Sequence, residues 1–167
     1  MIPGKMFSGA LLRRILSITA NATKALLVAS MVSASVAAET LDKKEGTMTE
    51  IEIIVDDSPV TAIVEDSAAA RDFLSLLPLT LTLEDYHNTE KISDLPRRLS
   101  TAGAPAGIDP EVGDITYYAP WGNLAIFYRD FGYAKGLVRL GHITSGMDQL
   151  KRDGSFRVTI QLKDSQH

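Results

Sequence analysis

Leu79-Thr80-Leu81-Thr82-Leu83 alternates strictly between apolar and polar residues. A strand sends successive side chains to opposite faces, so the three leucines share one side and the two threonines the other. Such a segment is stable only with its dry face packed against a core. The same chemistry recurs along the chain. Glu50 to Val55, Val60 to Val64 and Phe156 to Leu162 are β-branched and partly or fully alternating. Asp114 to Tyr118, Leu124 to Tyr128 and Leu137 to Ile143 are short apolar runs of strand length. Glu90 to Leu95 reads as an edge strand. Turn residues divide the runs, among them Asp56-Asp57-Ser58-Pro59, Glu84 to Asn88, Ala119 to Asn123 and Asp153-Gly154. A short helix is expected over Ala68 to Leu77, capped by Asp66 or Ser67 and stopped by Pro78. Ser145 to Leu150 suggests one or two further helical turns. Seven or eight short strands with so little helix predict a mainly β domain, a closed barrel or a sandwich.

Pro96 to Gly113 is a long connection with three prolines and three glycines, which makes it a candidate functional loop. The chain has no cysteine. Disulfides, thiolate metal sites and cysteine nucleophiles are therefore excluded, and packing alone must stabilise the domain.

Charge is distributed unevenly. All 21 acidic residues lie at or after Glu39, while Lys5, Arg13, Arg14 and Lys24 precede it. A basic start, the apolar run Ala25 to Val32 and the small residues Ser33 to Ala38 follow the order of a secretory signal. The expected organisation is a signal over 1–38, a polar linker over 39–47 and one domain over 48–165. Cleavage is expected after Ala37 or Ala38, with an internal start at Met48 as the alternative. Export places the domain in the periplasm or outside the cell. The apolar run is too short for a spanning helix, which needs about 20 residues. Beyond Ala38 there remain 13 basic and 21 acidic side chains, a net −8. An acidic surface repels phosphate backbones and anionic lipid, so neither nucleic acid nor a membrane is an expected partner.

Few motifs carry chemistry. Neither a Gly-x-Ser-x-Gly elbow nor a phosphate-binding glycine loop occurs, and no cofactor is expected. Glu84, Asp85, His87 and Glu90 group carboxylates around one imidazole, but a solvated acidic turn explains them better, and no metal is expected. His142 sits on a strand pattern and reads as a packed or hydrogen-bonded histidine. Trp121, the sole tryptophan, lies on a Pro-Trp-Gly turn. The aromatics from Tyr117 to Tyr133 read as core and cross-strand pairs, some on an outer face where a partner could dock.

The block Gly113 to Tyr128, together with Leu79 to Tyr86, Leu95-Pro96-Arg97-Arg98-Leu99 and Leu137 to Met147, resembles the bacterial cyclophilin-like proteins. The resemblance runs from Met48 to about Lys163. It implies a closed cyclophilin-like β-barrel of about eight strands with one or two short helices. Cyclophilins isomerise the bond before proline, using an apolar pocket and an arginine near the prolyl nitrogen. By resemblance Arg97 takes the arginine's place, with Arg98 beside it. The cyclophilin pocket glutamine and phenylalanine fall on Leu124 and Ile126, so neither residue type is kept. The resemblance therefore implies a cleft lined by Tyr118, Trp121, Leu124 and Ile126, anchored by Arg97 and Arg98, for a small ligand or peptide segment. The alternative is a weak peptidyl-prolyl isomerase assisting exported proteins.

Overall fold

The structure is a computed structural model that describes residues 48–164. The expected signal and polar linker lie outside the described residues.

Ten strands and one α-helix follow in order: β1 (Thr49–Val55), β2 (Ser58–Val64), α1 (Ala68–Leu74), β3 (Leu79–Tyr86), β4 (Glu90–Asp94), β5 (Gly107–Ile108), β6 (Asp114–Tyr118), β7 (Asn123–Phe127), β8 (Ala134–Lys135), β9 (Leu137–Ser145) and β10 (Phe156–Leu162). A 3-10 turn covers Met147–Leu150. Eight of the strands close a barrel in the order β1-β10-β3-β4-β7-β6-β9-β2, and β5 pairs with β8 in a separate ribbon. All neighbouring pairs are antiparallel. Closure leaves the eight barrel strands without a free edge. The expected mainly β closed barrel is the fold observed.

Alternation decides which side chains fill the barrel. Ile51, Ile53 and Val55 of β1, Leu81 and Leu83 of β3, and Val158 and Ile160 of β10 point inward and are buried. The threonines of β3 point outward, where Thr80 pairs with Thr159 of β10 at 3.2 Å. The helix plugs the barrel with Ala69, Ala70 and Phe73, and Ser67 accepts the Ala70 amide as its N-cap.

Several boundaries differ from expectation for local reasons. The β1–β2 turn is Asp56-Asp57 alone, both with positive φ, and Pro59 lies within β2 opposite Ile54. Two positive-φ residues give the hairpin turn whose twist matches its strands. β3 runs on to Tyr86, because Glu84, Asp85 and Tyr86 pair with Ile92, Lys91 and Glu90. β4 is no edge strand: β7 covers its other side along the whole length. The helix ends at Leu74, three residues before the expected stop. The long loop after Pro96 contains β5, which ties Gly107-Ile108 to Ala134-Lys135. Among the described residues, no helix is long and apolar enough to cross a membrane.

Candidate functional site

In the β6–β7–β4 wall, β6 and β7 are buried on both faces over nearly their whole length, and β4 beside β7 is buried at Glu90 and Lys91. Every residue of β7 is buried, inward-pointing and outward-pointing alike. Leu124 and Ile126 enter the barrel core at 0% exposure. Asn123, Ala125 and Phe127 face outward, where the segment after β7 folds back over them. Tyr86, Glu90 and Phe127 form one row across β3, β4 and β7. Tyr118 and Asn123 form another with Leu137. Between this wall and the covering residues Phe131 to Lys135 lies a cleft of about 420 Å³.

Six aromatic rings line it: Tyr86, Tyr118, Trp121, Phe127, Phe131 and Tyr133. Trp121 stands edge-on to Tyr86 and Tyr118, at centroid distances of 5.7 and 5.4 Å. Phe131 meets Phe127 at 5.7 Å. Trp121, Phe131 and Tyr133 are exposed by 57%, 52% and 63%. Three large exposed aromatics around one opening mark an interaction site more than a finished core. The turn that presents Trp121 is fixed from behind: Arg98 donates to the carbonyls of Ala119 at 2.7 Å and Pro120 at 3.3 Å. Gly122 completes the turn at φ +85, and its amide donates to the Tyr118 carbonyl at 2.8 Å.

Polar groups in the cleft are few and unmatched. Among the described residues, the only buried side-chain polar atoms without a partner are Glu90 Oε2 and Asn123 Oδ1. Both residues line this cleft. Burial pushes the Glu90 carboxyl up to about 7, and the negative charge of Asp85 adds to the rise.

That shift predicts a pH dependence. Folded Glu90 holds its proton to about pH 7, whereas an unfolded glutamate releases it at about 4.3. Between these values the folded state binds more protons, so stability falls as pH rises through the window. Urea unfolding should show wild type losing roughly 2–3 kcal/mol more than Glu90→Gln between pH 4.5 and pH 8. Parallel curves for the two proteins would contradict the assignment. Asp72 and Asp85 shift the other way. The Ser100 amide and Arg97 lower Asp72, and Lys91 with Tyr128 lowers Asp85. Their stabilisation is lost as pH falls in the acid range, in both proteins equally.

The residues expected at the site are thus divided. Tyr118 and Trp121 line the cleft. Leu124 and Ile126 do not, because the period of two turns them into the barrel. Arg98 braces the Trp121 turn. Arg97, in the loop after β4, turns its side chain against α1, where it donates to Ser75 Oγ at 2.7 Å and pairs with Asp72 Oδ2 at 3.3 Å. Asp72 also accepts the Ser100 amide at 2.7 Å, which fixes the loop to the helix. The supposed acidic turn separates as well. Asp85 accepts from Lys91 at 2.7 Å and Tyr128 at 2.6 Å, while Glu90 enters the cleft. His142 is hydrogen-bonded, as its strand pattern suggested. Buried Asp114 contacts His142 Nδ1 at 3.0 Å and accepts from Arg139 Nε at 2.8 Å, linking β6 to β9.

Glu90, Ala125 and the pair Phe131 and Tyr133 were not among the expected site residues. The cluster of aromatics after β7 was their one visible signal.

A family model described as the Cyclophilin-like family matches residues 53–161. No curated protein matches the chain. Among solved structures, the solution structure of a hypothetical protein from Archaeoglobus fulgidus is similar, with a TM-score of 0.54 at 16% identity, covering 72% of this chain and 99% of that one. At that identity the likeness speaks for the fold alone.

Proposed function

The chain belongs to the cyclophilin-like family, and from there we propose that it is an exported binding protein whose small organic ligand occupies the aromatic cleft on the outer wall of the barrel. Export rests on the order of basic, apolar and small residues over 1–38. One observation supports the binding reading above the rest. Exposed aromatic rings and unpartnered buried acceptors converge on a single cavity of about 420 Å³. That volume lies within the range of small-molecule sites, about 300–1,000 Å³, and its mainly apolar lining with few polar groups fits them.

An isomerase site would need a donor aimed at a prolyl nitrogen inside the cleft. Arg97 is instead held by Asp72 and Ser75, on another part of the surface. Binding without proline isomerisation is therefore the favoured reading.

Trp121 is the sole tryptophan and stands at the cleft, so its emission reports occupancy directly. Titration of a set of small aromatic compounds should give saturable changes in that emission. Arg97→Ala should leave the affinities within about twofold, a difference under roughly 0.5 kcal/mol. Absence of saturable binding across the set, or its loss in Arg97→Ala, would overturn the reading.

A further inference from the structure

The cleft is unbalanced in its hydrogen bonding. With Glu90 ionised, as it is above about pH 7, it offers two buried acceptor oxygens, Glu90 Oε2 and Asn123 Oδ1, and no buried side-chain donor among the described residues stands idle to meet them. The Asn123 amide nitrogen is directed to the Leu124 carbonyl at 3.4 Å. Leaving an acceptor unmet in a buried position costs about 1–3 kcal/mol, more if it is charged. Natural sequences rarely keep two such groups in one cleft unless something else supplies the donors. Glu90 is only 8% exposed, so its carboxyl is largely stripped of bulk solvent.

The walls have a matching preference. Tyr86, Tyr118 and Trp121 present ring systems around the same space. Aromatic faces attract cations, tryptophan most strongly. A ligand with a positively charged N–H group would satisfy the carboxylate and the rings together. An anionic or donor-free ligand would leave both acceptors empty.

Resting on the cleft's role as a binding site, we propose that its ligand is a small organic ammonium ion, carried on an apolar or aromatic body. The ammonium donates to Glu90 Oε2, and Asn123 Oδ1, four residues along β7 from Glu90's partner Phe127, faces the body instead. The body lies against Trp121 and the outward face of Ala125.

The charged and titratable groups around Glu90 bear on this assignment. Asp85 and Tyr86 belong to β3, and Lys91 follows Glu90 in β4 but points to the opposite face. Tyr128 and Arg129 follow β7, and Tyr118 ends β6. Tyr133 and Lys135 come from the covering segment. Lys91 is neutralised by Asp85 at 2.7 Å. Lys135 is exposed, so solvent and salt screen its repulsion of a cation. Glu90 is the one buried charge that a ligand meets. Because its carboxyl ionises only near pH 7, ammonium binding should strengthen as pH rises.

The test uses phenethylamine, protonated at pH 8, and its neutral counterpart 2-phenylethanol, both followed by Trp121 emission. Wild type should bind the amine at least tenfold more tightly than the alcohol at pH 8. Amine affinity should drop about tenfold at pH 5.5. In Glu90→Gln the preference should shrink to within twofold while the alcohol still binds, with circular dichroism verifying the fold. Equal affinities in wild type, or a preference that survives in Glu90→Gln, would overturn the ammonium assignment and leave the cleft as a binding site. If neither compound binds wild type at millimolar concentration, both the assignment and the binding site fall.

Discussion

Asp85→Ala is expected to lower the unfolding free energy by about 3–5 kcal/mol, the largest loss among single substitutions near the cleft. The reason is Lys91. Its side chain is fully buried, and its Nζ donates to Asp85 Oδ2 at 2.7 Å and to the Arg152 carbonyl at 2.6 Å. The rings of Tyr128 and Phe156 stand 5.4 and 5.5 Å away. Removing Asp85 leaves an ammonium in an apolar barrel end with only one carbonyl and two rings for company. It also strips the Tyr128 hydroxyl of its acceptor, a bond of 2.6 Å. Urea denaturation would measure the loss. A domain of this size has about 5–15 kcal/mol in total, so much of its stability is at stake.

A second variant separates the charge from the packing. Asp85→Ala combined with Lys91→Met removes the unpaired charge, and a buried ion pair replaced by apolar side chains is often close to neutral. The double variant should recover most of what the single one loses. If it is as unstable as Asp85→Ala, packing rather than charge holds the barrel end together. The pair also bears on the cleft. Asp85 and Lys91 face each other across β3 and β4. Their neighbours on the opposite face, Tyr86 and Glu90, are cleft residues. The ion pair on the inside therefore sets the register of the site on the outside.

Most of the barrel was legible in the sequence because its strands are half wet. β3 could be assigned, face by face, from Leu79 to Leu83 alone. β1, β2 and β10 were nearly as clear. β4 was legible as a strand but read as an edge, because its partner β7 comes much later in the chain and Glu90-Lys91 looks like a solvated pair. Only tertiary pairing buries both, one on each face of the sheet. The cleft residues of β7 were hidden for a related reason. Asn123 to Phe127 is buried on both sides, so no polar alternation shows which side chains face in. Resemblance to cyclophilins favoured Leu124 and Ile126, and the barrel takes those two for its core. Once the parity shifts by one residue, the whole outward set changes with it. Tyr118 and Trp121 were found because a strand end and a turn next to it project to the same rim.

The covering segment was the least legible part. Its two-residue strand, β8, has no pattern of its own. It is placed by β5, which comes from the middle of a loop rich in proline and glycine. The Gly136 amide donates to the Ala106 carbonyl at 2.8 Å, and its own carbonyl accepts the Ala119 amide at 2.9 Å. These contacts bring the long loop, the Trp121 turn and the cover together, and no local sequence rule predicts them.

If a ligand binds in the cleft over β7, Ala125→Phe should block it. Ala125 is buried at the middle of the outward face, between Ile92 and Thr116 of the neighbouring strands. A phenyl group there projects into the open space of about 420 Å³ and leaves the barrel core unchanged. Phenethylamine and 2-phenylethanol should each bind the variant at least thirtyfold more weakly than wild type, a loss of about 2 kcal/mol. Its urea midpoint should stay close to that of wild type. Wild-type affinity for both compounds in a folded Ala125→Phe protein would contradict the account, since the ligand would then have to bind elsewhere.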